Sequence, residues 1–260
     1  MIQTKHHKHI FEIILNRPEK RNAMQIQMLR QIGEAVLEAQ QTPQVRLIVL
    51  RAEGPAFSVG LDLQTMGGMI EEFGEDWMQQ PHTLTRMWQA PVNILANASI
   101  PTLALIHGYC LGVGLELALA CDFRYATPDA QLSLAETRIG LIPDVGGTTR
   151  LMALVGIARA KEMIFTARRI DGITAERWGI VNQVVEVENL PQSAVALADE
   201  IALCAPLAVS AAKRVIQGIA DESRGLYLEA LEQANLFATQ DLQEGVQSVL
   251  MRRDPQWKWQ

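Results

Sequence analysis

The stretch between residues 101 and 126 constrains the fold more than any other part of the sequence. Residues 101–107 are an apolar run typical of a β-strand, and a glycine-rich turn then leads into helical patterning at 115–121. Residues 122–126 return to the pattern of a strand. A strand, a turn, a helix and another strand in this order are typical of parallel β units with crossover helices. The stretch therefore predicts an α/β fold.

Further elements are predicted on both sides of this stretch. Residues 9–15 and 45–51 are short runs rich in β-branched residues, and we expect both to be strands. Helical periodicity covers residues 23–39, with Asn22 as a candidate N-cap. Residues 181–187 are predicted to form the last strand.

The end of the chain has a different sequence pattern. From about residue 191 onward there is only helical patterning, including 205–219 and 224–239. We therefore expect an α/β core over residues 1–195 and a helical region over residues 196–260. The C-terminal helices carry apolar residues on several faces, which favours packing against another subunit.

Composition, charge and motifs exclude several classes of protein. Of the 260 residues, 48% are hydrophobic and 20% are charged, which is typical of a globular protein and not of a disordered one. The formal net charge of −6 argues against nucleic acid as a partner, since proteins that bind it normally present a basic surface. There is no G-x-S-x-G hydrolase motif, no Walker loop and no G-x-G-x-x-G opening a helix after the first strand. A serine hydrolase, an NTPase and a nicotinamide-dependent enzyme are therefore disfavoured.

The sequence gives no sign of a disulfide framework, a metal site or a membrane span. Three cysteines without metal-ligand spacing indicate reduced core residues. His6, His7 and His9 resemble a metal cluster, but we expect them to lie in a mobile N-terminal segment without carboxylate or cysteine partners. The apolar stretch 102–121 includes Glu116 and three glycines, and the N-terminal apolar run is too short for a signal-peptide core. We expect a cytoplasmic protein.

The first candidate for chemistry is the turn at residues 56–63, which follows a predicted strand. Gly60 allows the backbone to approach a ligand closely and to present the N–H group of Leu61. A purely structural alternative is a strand-to-helix turn in which Asp62 caps the next helix.

The second candidate is the turn at residues 107–116. Gly112 and Gly114 open a helix whose first N–H groups have no helical acceptor, so the backbone N–H of Val113 can bind an anionic oxygen. Glu116 falls in the first helical turn, where a carboxylate also interacts favourably with the helix dipole. Its surroundings are strongly apolar, and a buried carboxylate is costly unless it has a partner or a role in function. We therefore favour a functional role over a structural one.

The third candidate is the segment at residues 136–148. Glu136 follows Glu116 by 20 positions, across one predicted strand, so both carboxylates can reach one pocket. Asp144 adds a further acid in a glycine-rich loop. The structural alternatives are an ion pair of Glu136 with Arg138 or Arg150, and helix capping by Asp144.

Together these segments resemble the enoyl-CoA hydratase/isomerase (crotonase) superfamily, and most closely a bacterial-type enoyl-CoA hydratase. The resemblance runs in order through nearly the whole chain, at residues 15–24, 57–63, 108–122, 136–151 and 237–253. It implies a crotonase-like spiral of ββα repeats with two sheets. It also implies a helical C-terminal region used to form trimers, often paired into hexamers.

The family resemblance implies an oxyanion hole and a pair of acids. Backbone N–H groups stabilise a thioester enolate in this family, and the matching positions are Leu61 and Val113. Fixed donors of this kind are worth about 3–4 kcal/mol each. Hydratases have two glutamates, matched by Glu116 and Glu136, which activate a water for addition to C3 of a 2-enoyl thioester. By family analogy Glu136 supplies the proton to C2.

Asp144 leaves a second reaction open. Typical hydratases have glycine at this position, whereas dienoyl-CoA isomerases have aspartate there. The prediction is therefore an enoyl-CoA hydratase, with the alternative of an enoyl-CoA or dienoyl-CoA isomerase that moves protons with Glu136 and Asp144.

The resemblance also suggests how coenzyme A binds as part of the substrate. The candidate contacts are Lys20, Arg21, Ser58, Gly60, Asp62 and Arg252. No metal and no separate cofactor are implied, because the thioester itself accepts the electrons. The expected partners are the acyl-CoA thioester and further copies of the chain.

Overall fold

Nine strands form two sheets in a computed structural model, which describes residues 1–62, 81–219, 239–251 and 253–260. In chain order the strands are β1 (Ile2–His7), β2 (Ile10–Leu15), β3 (Leu47–Ala52), β4 (Thr102–Ile106), β5 (Tyr109–Leu111), β6 (Phe123–Ala126), β7 (Gln131–Ser133), β8 (Ile170–Asp171) and β9 (Gln183–Val184). The larger sheet has the order β1-β2-β3-β4-β6-β9, and the smaller has the order β5-β7-β8.

All strand pairs from β2 to β9 in the larger sheet are parallel, and β1 adds an antiparallel edge. All five residues of β4 are buried, as expected for a central strand covered on both faces. The predicted parallel α/β organisation is therefore confirmed.

Each turn of the chain adds backbone to both sheets in succession. β4 and β5 form one such turn, and β6 and β7 form the next. Isolated parallel bridges extend the pattern towards the N-terminus, since Met24 pairs with Leu61 and Ser58 pairs with Cys110. This repetition is the spiral of ββα units that the sequence predicts. It brings the segments after β3 and β4 side by side.

Helices enclose this spiral. They are α1 (Ile26–Gln41), α2 (Pro81–Ala96), α3 (Val113–Leu119), α4 (Gly147–Thr166), α5 (Gly172–Trp178), α6 (Leu190–Ala202), α7 (Pro206–Gly218) and α8 (Gln240–Met251). Short 3₁₀ helices cover Pro18–Lys20, Glu136–Ile139 and Val187–Asn189. Within the described ranges no single helix is long and apolar enough to cross a membrane, and only the pair Val187–Ala202 and Pro206–Gly218, bent by 103°, meets that criterion jointly.

Three predictions about local structure are wrong or incomplete. The N-terminal segment is not mobile, because it forms β1 and pairs with β2 along its whole length. Asn22 does not cap α1, which begins at Ile26 with Gln25 at the N-cap position. The last strand spans only Gln183–Val184, because a 3₁₀ helix begins at Val187.

The described C-terminal elements are helical, as predicted. The predicted boundary at residue 195 falls inside α6, whose Leu190, Ala194 and Ala198 pack against the larger sheet. The division into two regions and the oligomeric role of the second stay predictions. The predicted helix at 224–239 lies outside the described residues, apart from its last residue.

Candidate active site

Two glycine turns lie against each other where the segments after β3 and β5 meet. Gly60 has a φ of +91° and Gly112 a φ of +51°, a region that favours glycine. A Cβ atom at Gly60 would lie 2.9 Å from the carbonyl oxygen of Leu111 and 3.7 Å from Cα of Gly112. Only glycine permits this approach, so the two turns place Leu61 and Val113 next to each other in space.

The N–H groups that follow these glycines are available to a ligand. Val113 is the first residue of α3, where an N–H group has no helical acceptor. In the described part of the chain, no acceptor takes the N–H of Leu61 or of Val113. Two free donors on adjacent turns can stabilise an oxyanion. The adjacency of the two turns agrees with the sequence analysis, and the binding of an oxyanion by Leu61 and Val113 stays a prediction.

Glu116 is completely buried in α3 and is held by backbone donors. Its Oε1 atom accepts hydrogen bonds from the N–H groups of Val145 and Gly147, both at 2.8 Å. Its Oε2 atom is also buried and has no hydrogen-bond partner among the described residues. A Cβ atom at Gly147 would lie 2.8 Å from Oε1, so glycine is required there for this contact. One carboxylate oxygen is fixed and the other is left for a ligand or water.

Glu136 begins the 3₁₀ helix that precedes α4 and faces the turn at Gly112. A Cβ atom at Gly112 would lie 2.9 Å from Oε1 of Glu136. Both carboxylate oxygens are buried without a hydrogen-bond partner among the described residues. In the described part of the chain Glu136 forms no ion pair with Arg138 or Arg150, and Arg150 donates to the carbonyl oxygen of Val145 instead.

Burial changes the acidity of both glutamates. It raises the pKa of Glu116 to about 8, with the charges of Glu136 and Asp144 adding to the effect and the N–H of Gly147 opposing it. Burial also raises the pKa of Glu136, again with a contribution from Asp144. Neighbouring carboxyl groups with raised pKa values can share a proton near neutral pH, so one accepts while the other donates.

Asp144 lies at the exposed edge of the same loop. Its Oδ2 atom accepts a hydrogen bond from Oγ1 of Thr85 on α2 at 3.0 Å. It does not cap α4, whose N-cap residue is Gly146 with no side-chain hydrogen bond. The carboxylate is therefore held near the two glutamates but is open to solvent.

The loop between β2 and α1 supports the first glycine turn, a role that the sequence analysis missed. Asn22 is buried with a φ of +54°, and its side-chain Nδ2 donates to the carbonyl oxygens of Glu53 and Ala56 at 2.9 and 2.8 Å. The hydroxyl of Ser58 donates to the carbonyl oxygen of Asn22 at 2.8 Å and accepts from the N–H of Gly60 at 3.1 Å. Asparagine tolerates positive φ better than most residues, and this is the sequence signal for a turn here.

The predicted CoA contacts fall into an exposed and a buried group. Lys20 and Arg21 are exposed, and the carbonyl oxygen of Arg21 accepts from the N–H of Val59 beside the first glycine turn. Ser58 and Gly60 are buried, and the carboxylate of Asp62 accepts hydrogen bonds from Arg17 and Gln25. Arg252 lies outside the described residues. Contact of these residues with CoA stays a prediction.

Among the described residues no group of three or more histidine, cysteine or acidic side chains is arranged to hold a metal ion. His6 and His7 project from the exposed edge strand β1. Cys110 and Cys121 are free and buried, whereas Cys204 is free but exposed, so the prediction of three core cysteines is wrong for Cys204.

Two free backbone donors beside two buried carboxyl groups define a candidate active site. The model of the enoyl-CoA hydratase/isomerase family matches residues 5–260, and the chain belongs to this family. It is an enzyme of the hydratase or isomerase type.

The names of the similar proteins describe different activities. The chain is 37% identical over 256 residues to enoyl-CoA hydratase domain-containing protein 2 of Mus musculus, covering 95% of this chain and 84% of that one. It is 33% identical over 256 residues to a mitochondrial Δ(3,5)-Δ(2,4)-dienoyl-CoA isomerase of Dictyostelium discoideum, covering 96% and 87%. The crystal structure of an enoyl-CoA hydratase from Bacillus anthracis matches with a TM-score of 0.91 at 35% identity, covering 100% of this chain and 99% of that chain.

Proposed function

We propose that the protein hydrates 2-enoyl-CoA thioesters. The observation that carries this proposal is the pair of carboxyl groups of Glu116 and Glu136, which are buried beside two free backbone donors and form no ion pair with a described residue. Water addition needs one group that accepts a proton and one that donates it. The two raised pKa values support that division of roles.

The reaction follows from the positions of these groups. The thioester carbonyl oxygen accepts hydrogen bonds from the N–H groups of Leu61 and Val113, which stabilise the charge that develops on it. A water molecule lies between the two carboxyl groups and loses a proton to Glu116 as its oxygen bonds to C3. The electron pair of the C2–C3 double bond moves into the thioester as an enolate. Glu136 then donates its proton to C2, and the enolate returns to the thioester.

The thioester accepts the electrons in this scheme, so no further cofactor is required. Lys20 and Arg21 are exposed cations beside the first glycine turn, which supports their role in binding the CoA phosphates.

Self-association of the chain is proposed from its exposed apolar side chains. Ile157, Phe165 and Ile216 have 62–72% of their surface exposed, and apolar side chains this exposed favour burial in an interface.

A dienoyl-CoA isomerase is the second candidate, and Asp144 is the observation that favours it. Its carboxylate is held by Thr85 and interacts electrostatically with both glutamates. In this reaction a base takes a proton from one end of the conjugated chain and an acid returns one at the other end, without addition of water. The relative from Dictyostelium discoideum is named for such an activity.

A paired assay separates the two reactions. The purified protein is mixed with a short-chain 2-enoyl-CoA, and the product is identified by mass. In a second reaction it is mixed with a 3,5-dienoyl-CoA, and isomerisation, which leaves the mass unchanged, is followed by the change in ultraviolet absorbance. We expect a gain of one water, which Glu116→Gln and Glu136→Gln each reduce by about 10²–10⁴-fold. Glu34→Gln, on the exposed face of α1, is the matched control and should retain full activity. Isomerisation of a 3,5-dienoyl-CoA without any hydration would move the assignment to the second candidate.

A further inference from the structure

Three side chains on one face of α2 contact the loop before α4 or the first turn of α4 itself. Thr85, Gln89 and Asn93 are spaced four residues apart, so they lie above one another along the helix. Thr85 donates to the side chain of Asp144, and Nε2 of Gln89 donates to the carbonyl oxygen of Asp144 at 2.6 Å. Oδ1 of Asn93 accepts from Arg150 at 2.7 Å. Helix α2 therefore binds both a side chain and the main chain of the loop.

The hydrogen bond from Gln89 ends on the peptide group that joins Asp144 to Val145. The N–H of that same peptide group donates to Oε1 of Glu116 at 2.8 Å. A donor on the carbonyl side polarises a peptide group and strengthens its N–H as a donor. Gln89 is thus separated from the buried carboxylate by a single peptide group.

We propose that Gln89 is a positioning residue for Glu116, because it fixes the Asp144–Val145 peptide so that its N–H group stabilises the ionised carboxylate. Gln89 touches no reacting atom in this role. The proposal rests on the proposed function only in giving Glu116 a part in proton transfer.

Charged groups also face Glu116, and their effect on its pKa must be distinguished from the effect of the Gln89 hydrogen bond. Glu136 on the 3₁₀ helix and Asp144 on the loop raise its pKa, whereas Arg150 on α4 attracts its negative charge. Gln89 is neutral, so its replacement by a neutral side chain leaves all three charges in place. A change in the titration of Glu116 then reports on the hydrogen bond.

The test compares one variant that removes the donor with one that keeps it. Gln89→Met has a side chain of similar length without a donor, and it should move the Glu116 titration to higher pH. The titration is followed by NMR of protein labelled with ¹³C-glutamate and is assigned with Glu116→Gln. At pH 7 we expect kcat to fall about tenfold, with KM changed less than about twofold. Gln89→Lys keeps a donor and adds a positive charge, so its Glu116 titration should lie at or below the wild-type pH.

A matched control is Gln217 on α7, which contacts the C-terminal end of α2. Gln217 donates to the carbonyl oxygen of Ala96 at 2.6 Å, so Gln217→Met removes the same kind of bond away from the site. It should retain the wild-type titration and kcat. An unchanged Glu116 titration in Gln89→Met, or an equal shift in Gln217→Met, overturns the proposal.

The remaining outcomes are also decisive. If Gln89→Met does not fold, a Glu116 titration in Gln89→Lys above the wild-type pH overturns the proposal. If the titrations shift as expected but even the wild-type protein hydrates no enoyl thioester, the proposed function fails and the positioning role of Gln89 stands.

Discussion

Gly112 and Glu136 are in such close contact that a methyl group on the glycine would lie 2.9 Å from Oε1 of the glutamate. The glycine has a φ of +51° and precedes the free N–H of Val113. Gly112 therefore determines both the position of the candidate oxyanion donor, the N–H of Val113, and the space available to the candidate acid, Glu136.

Gly112→Ala should damage both features. Backbone strain at a positive φ costs about 1–3 kcal/mol of the free energy of unfolding, and the new methyl group displaces the Glu136 carboxylate. We expect enoyl-CoA hydration to fall more than about 100-fold. Gly156→Ala is the matched control, because Gly156 has a φ of +75° with no atom within 4 Å of the added methyl group. It should lose stability and keep activity, and equal activity in the two variants would contradict the assignment.

Asn22→Ala should destabilise the fold mainly through the loop it anchors. The variant leaves the carbonyl oxygens of Glu53 and Ala56 without their donor and the N–H of Arg17 without its acceptor, and it places alanine at a φ of +54°. Three lost hydrogen bonds and the strain predict a decrease of about 3–5 kcal/mol in the free energy of unfolding. Denaturant titration measures this, with Asn97→Ala, at an exposed residue just after α2, as the control. A loss no greater than that of Asn97→Ala would mean that the loop is held by other contacts.

Local sequence patterns predict the strands and turns that neighbouring residues determine. They do not predict hydrogen bonds between residues far apart in the chain. The apolar runs of β2, β3 and β4 and the glycine turn before Val113 follow from neighbouring residues, and all are confirmed. The partners of Glu116 lie 29 and 31 residues away, and the hydrogen bond from Gln89 to the Asp144 carbonyl oxygen spans 55 residues. No local pattern carries that information.

Missed strands have a similar cause. All residues of β1 except Ile2 are polar and exposed, so the hydrophobic pattern is absent and only pairing with β2 makes the segment a strand. Such an exposed, polar edge is typical of sheets that avoid further pairing. Asn22 was misassigned because the same side chain serves as a helix cap or as an anchor for a turn, and the choice depends on tertiary contacts.

The raised pKa of Glu116 predicts a pH-dependent stability. Its pKa is about 8 in the folded protein, against about 4.3 in an unfolded chain. Between these two pH values the folded state holds a proton that the unfolded state has released. The free energy of unfolding therefore falls as the pH rises from about 4.3 through about 8. Glu116→Gln removes the titration, so its stability relative to wild type should improve by about 2–4 kcal/mol between pH 5 and pH 8.

Denaturant unfolding at the two pH values measures this difference. Glu34→Gln is the control, because its side chain is exposed on α1 and should give the same offset from wild type at both pH values. A Glu116→Gln offset that is also independent of pH would show that the carboxyl group is already ionised at pH 5.

Asp144→Asn separates the two candidate reactions. In a hydratase, Glu116 and Glu136 carry the proton transfers, so the loss of a solvent-exposed carboxylate should reduce hydration by less than about fivefold. In a dienoyl-CoA isomerase, Asp144 is one end of the proton path, and its amide should reduce isomerisation by about 10²–10⁴-fold. The amide still accepts the hydrogen bond from Thr85, so the loop keeps its position. Asp129→Asn, also exposed, controls for the change in surface charge. A hydration rate that falls as far in Asp144→Asn as in Glu136→Gln would make Asp144 a third acid of the hydratase, because a supporting role in the loop survives this substitution.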